Sequence, residues 1–78
     1  MDLAHLHRIE PAANMARFYC IDLAPILFGE VTVLRRWGRI RTCGRTHIET
    51  WPSAGEAEAA ARRTLRQKSR RGYRPAER

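Results

Sequence analysis

At Ser53 the hydrophobic period of this chain changes from two residues to nearly four, so strands must build the core before that point and a helix after it. Ser53 and Glu56 have the spacing of a capping box, in which the serine hydroxyl takes the Glu56 amide and the glutamate returns to the serine amide. Beyond them Ala57, Ala61 and Leu65 form a narrow apolar face, and Arg62, Arg66 and Arg70 a charged one, with Glu58 placed to pair with Arg62. Gly72 is the residue that ends such a helix, with Arg70 and Arg71 where the helix dipole favours cations. Small alanines allow this helix to lie close against a sheet.

Upstream, residues 17–23 alternate, with Tyr19, Ile21 and Leu23 on one face, Phe18, Cys20 and Asp22 on the other, and Pro25 closing the strand. Residues 26–29 read as a turn with two or three apolar anchors, and residues 30–37 as a second β-branched, alternating strand. Residues 39–42 and 45–51 read as a hairpin joined by Cys43 and Gly44. Residues 1–15 show no sustained period and are expected to be a partly flexible arm, of which residues 1–7 should be removable. The expected architecture is α+β: an antiparallel sheet of about four strands with one helix packed on it. The expected domain spans residues 16–74, with a tail at 75–78.

Seventy-eight residues support one modest core, and many of the apolar residues are alanines near the C-terminus. No apolar run is long enough to span a membrane and no secretory signal is visible, so a cytoplasmic location without membrane association is expected. Two cysteines, Cys20 and Cys43, cannot form a disulfide-dense framework and are expected as thiols, one buried and one near a turn. The net charge of +7 is unevenly placed: residues 1–34 carry −2 and residues 35–78 carry +9, and fourteen of the fifteen cations are arginine. Arginine's planar fork fits phosphate and stacks on bases, so the expected partner is a polyanion, weighed against a merely solvated surface.

The chemistry concentrates in residues 35–42, Arg-Arg-Trp-Gly-Arg-Ile-Arg-Thr. Extended backbone here places Arg35, Trp37, Arg39 and Arg41 on one face, an indole among guanidinium groups, suited to phosphates with a stacked sugar or base. Gly38 stands against this by allowing a bulge, or serves it by letting a ligand backbone approach. Trp37 is equally suited to the core. Tyr73, just past the helix-ending glycine, is expected to pack on the fold, and Arg62, Arg66 and Arg70 to be a solvated face. His5, His7, His47, Cys20 and Cys43 lack the close spacing of a zinc site, and Cys43 with His47 lacks a third catalytic group, so no metal, cofactor or enzymatic activity is expected.

These residues resemble the WGR domain family, a module of some poly(ADP-ribose) polymerases and many bacterial proteins. Trp37-Gly38-Arg39-Ile40 is similar to the signature that names it, Phe18-Tyr19 to its opening strand, Leu27-Phe28-Gly29 to the turn before the signature strand, and Thr42-Cys43-Gly44-Arg45 to its glycine turn. The helix and its ending, with Lys68, Arg71, Gly72 and Tyr73, complete a likeness over residues 8–74. The resemblance implies an antiparallel sheet with one helix, and DNA contact at breaks with Trp37 against a terminal sugar and Arg39 near the backbone. Arg41 departs from the family's usual glycine, and no polymerase domain lies within these residues, which leaves a separate protein partner as the route for any relay. The expected nucleic-acid-binding residues are Trp37, Gly38, Arg39, Arg35, Arg41 and Arg45, with DNA favoured over RNA. The alternative is a module that docks an acidic protein partner through the same residues.

Overall fold

The computed structural model describes residues 2–76. Five antiparallel strands form one sheet: β1 (Asp2–Glu10), β2 (Met15–Pro25), β3 (Val31–Arg39), β4 (Arg45–Trp51) and β5 (Arg74–Pro75), in the spatial order β4-β3-β2-β1-β5. A single helix, α1 (Ala54–Arg70), lies on one face. The α+β class therefore holds, with five strands rather than about four.

Tyr19, Ile21 and Leu23 of β2 meet Val31 and Val33 of β3 in the core, and the alanine face of α1 closes on them through Ala57 and Ala61. Without longer side chains between them, helix and sheet approach closely, and Ile21, Val33, Ala57 and Ala61 have no exposed surface. The serine cap forms, but the reciprocal contact differs from the expected one. The Glu56 amide donates to Ser53 Oγ at 3.3 Å, and the Ser53 hydroxyl donates to Glu56 Oε2 at 3.3 Å, so the carboxylate returns to the hydroxyl rather than to the amide. At the other end Gly72, at φ +96°, donates to Ser69 O, while Tyr73 N donates to Lys68 O, closing a Schellman motif. That turn aims Tyr73 back into the core, as expected.

Four expectations about the strands and turns are corrected. Residues 2–10, expected to belong to an arm, form β1, hydrogen-bonded to β2 on one side and β5 on the other. An irregularity between Asp2 and Ala4 shifts the strand's phase, so Leu3 and Leu6, of opposite parity, both pack on the core, and the simple alternation is hidden. Residues 39–42 do not form their own strand. Instead β3 runs unbroken to Arg39, paired with β2 through Gly38 without a bulge, and residues 40–44 make the turn to β4. The anchors expected at residues 26–29 face solvent: Leu27 is 75% and Phe28 95% exposed in a short 3₁₀ turn. At the C-terminus Pro75 pairs with Leu6 and the Ala76 amide donates to His5 O, so the first part of the expected tail is sheet, and residues 77–78 lie outside the described residues.

Candidate nucleic-acid interface

Side-chain alternation along β3 sends Arg35, Trp37 and Arg39 to the face that carries α1. Register adds neighbours from both sides: Arg17 of β2 stands opposite Arg39, Tyr19 opposite Trp37, and Arg45 of β4 opposite Trp37. The helix leaves this end of the sheet open. The result is a groove of about 760 Å³ lined by Arg17, Trp37, Gly38, Arg39, Gly44, Arg45, Lys68 and Tyr73.

An aromatic cluster underlies the groove. Trp37 stacks on Tyr19 with centroids 6.1 Å apart and planes inclined by 20°, and Tyr73 meets Tyr19 edge-on at 6.3 Å. Lys68 Nζ lies 4.7 Å from the Tyr19 ring centroid and 5.6 Å from that of Tyr73, a cation held over two π faces. Burial lowers the Lys68 pKa, and the nearby Arg71 charge lowers it further. Burial raises the Tyr19 pKa, aided by Glu49 and Tyr73 and opposed by Arg35, so the phenol remains a neutral hydrogen-bond donor at pH 7. Trp37 is half-buried against the core and also lines the groove.

The expected site residues divide. Trp37, Gly38, Arg39 and Arg45 line the groove together. Arg35 shares their face, but its Nη2 donates to Glu49 Oε1 at 2.9 Å, and it lines only an adjoining recess with Tyr19, Trp37, His47 and Lys68. The same Glu49 oxygen accepts from the Trp51 indole at 2.9 Å, and His47 Nε2 lies 3.6 Å from the other oxygen. Arg35 thereby clamps β3 to β4, with its Nε buried and without a hydrogen-bond partner. Arg41 does not share a strand face with Trp37. It sits in the turn at φ +77° and lines a recess on the opposite side of the sheet.

Gly38 and Gly44 explain each other. A Cβ on Gly38 would stand 2.7 Å from Gly44 Cα, and one on Gly44 would stand 2.8 Å from Phe18 Cζ and collide with the Trp37 carbonyl. Gly44 also has φ +70°. The glycine of the signature therefore admits the backbone of the turn, which holds the positions of Trp37, Arg39 and Arg45 around it. Arg17, Lys68 and Tyr73 were not among the expected site residues. Arg17 is found only through strand register, and Lys68 and Tyr73 only through the position of the helix end.

Cys20 is buried and Cys43 exposed, and among the described residues no three His, Cys, Asp or Glu side chains are grouped to hold a metal ion. Among the described residues no helix is long and apolar enough to cross a membrane.

Comparison with known proteins agrees with the motif. The uncharacterized protein y4dW of Sinorhizobium fredii is 41% identical over 71 residues, which cover 91% of this chain and 35% of that protein. The chain thus spans about a third of the length of that relative. No solved structure matches. The model of the WGR domain matches residues 3–78, including all of β1 but Asp2, Trp37-Gly38-Arg39 and β5, and the chain belongs to the WGR domain family.

Proposed function

We propose that this domain is a non-catalytic module that binds nucleic acid, and DNA before RNA, through the groove around Trp37. The observation that carries this reading is that four cations, Arg17, Arg39, Arg45 and Lys68, line the groove, with no carboxylate among the described residues that line it. Phosphates would lie on the guanidinium groups, while Trp37, backed by Tyr19, offers a flat surface to a sugar or base. Ends and nicks fit best, because an interrupted backbone frees a terminal sugar to reach the indole.

The test is a titration at low salt with nicked, blunt-ended and circular duplexes of one sequence, alongside a matching RNA duplex. Saturable binding near ~1 μM, tighter on nicked or blunt-ended DNA than on the circle, is the expected result, in the upper range of non-specific protein–DNA affinities. Absence of binding at low salt would contradict the proposal and favour an acidic protein surface as the partner of the same cations.

A further inference from the structure

The β3–β4 turn carries cations on both faces of the sheet. Alternation that sends Trp37 and Arg39 toward α1 sends Arg36 to the opposite side. There Arg36 joins Arg41 of the turn and His5 and His7 of β1 around a second recess, of about 220 Å³, with Phe18 and Thr42 also in its wall. Among the described residues no carboxylate lines it. Among the described residues neither Arg36 nor Arg41 has an acidic partner. The Arg36 guanidinium lies 5.8 Å from the Phe18 centroid, which steadies a long side chain over the recess. The His5 and His7 rings meet edge-on at 5.0 Å, from alternate positions on one strand face. Two guanidinium forks and two imidazoles around one hollow form a donor set for a phosphate.

We propose that this recess is a second phosphate site, which takes the backbone of a second nucleic-acid strand while the first lies in the Trp37 groove. The turn then acts as a wedge: a single sheet layer, on the order of 10 Å thick, separates the two strands. Arg41 becomes a contact on the second strand rather than an addition to the first. This inference rests on the groove being a nucleic-acid site, and the experiment separates the two.

Affinities for a single-stranded oligonucleotide and for a forked duplex with two non-complementary arms are measured across a salt series. The parent and the double variants Arg36→Gln/Arg41→Gln and Arg62→Gln/Arg66→Gln are compared. Arg36, Arg41, Arg62 and Arg66 are all exposed, so both variants keep the fold, and the helix variant controls for the loss of two charges. The turn variant is expected to bind the fork at least tenfold more weakly, with a salt slope shallower by about 1.4 for two contacts at ~0.7 each on single-stranded arms. Its affinity for the single strand should stay within about twofold of the parent, and the helix variant should show no fork-selective loss. Equal losses on both probes, or an unchanged fork affinity, would overturn the second site while leaving the groove standing. If the parent binds neither probe, the groove reading fails and the second site falls with it.

Discussion

Arg35 and Arg39 stand on the same face of one strand, yet their neighbours give them different work. Arg39 lines the groove, whereas Arg35 is held by Glu49 across to β4. Burial opposes ionisation of Glu49, but the Trp51 indole, Arg35 and His47 together outweigh it and hold the carboxyl below its ordinary range. A carboxylate with a depressed pKa in the folded state stabilises the fold above its unfolded value, about 4.3, and that contribution disappears as pH falls through the folded value. Glu49→Gln is therefore expected to cost about 1–2 kcal/mol at pH 7, seen as a melting temperature lower by several degrees, with the gap to the parent closing below pH ~4. A gap that persists unchanged at pH 3 would show that the charge is not the cause. Phe28 gives a prediction of opposite sign. It is 95% exposed and sits at φ +63°, where a side chain costs about 1–2 kcal/mol that glycine avoids. Phe28→Gly, after glycine's own entropic cost, should raise stability by about 0.5–1 kcal/mol in urea titration. A loss of stability would mean that the ring makes a contribution its exposure does not reveal.

At the scale of elements, β1 changes the expected consequence of truncation. The patternless arm was expected to be dispensable, but β1 lies between β2 and β5 and brings Leu3 and Leu6 to the core. Deleting residues 2–8 should lower the melting temperature by more than about 10 °C, since Leu6 alone contributes roughly 2–4 kcal/mol when buried. An unchanged melting curve would place β1 outside the cooperative unit. Helix α1 and the core face of β2 were legible because their signals are local: a cap three residues long, an alanine every turn, strict alternation through Tyr19, Ile21 and Leu23. β1 was hidden by a phase shift, and the length of β3 by a glycine whose partner, Gly44, lies across the turn. Half of the candidate groove was legible for the same reason. Trp37, Gly38, Arg39 and Arg45 fall within one hairpin, whereas Arg17 enters through pairing with Arg39, and Lys68 through the place where the helix stops.

For the whole molecule, the surplus of +9 in residues 35–78 gains its meaning from where the sheet collects it. The fold sets Arg39 and Arg45 beside Arg17 from the net-acidic part of the chain and Lys68 from the helix, around an indole supported by Tyr19. On the proposed function, charge and stacking would contribute by different physics and can be measured apart. The most direct test of the groove is the salt dependence of affinity for a nicked duplex, determined for the parent, Arg39→Gln and Trp37→Ala, with a thermal melt of each. Four phosphate contacts predict a logarithmic slope of about −3.6 for the parent, shallower by about 0.9 in Arg39→Gln. Trp37→Ala should remain folded, keep the parental slope and lose about 1–3 kcal/mol of binding at every salt concentration. A folded Trp37→Ala protein that binds the nicked duplex as tightly as the parent would contradict the account.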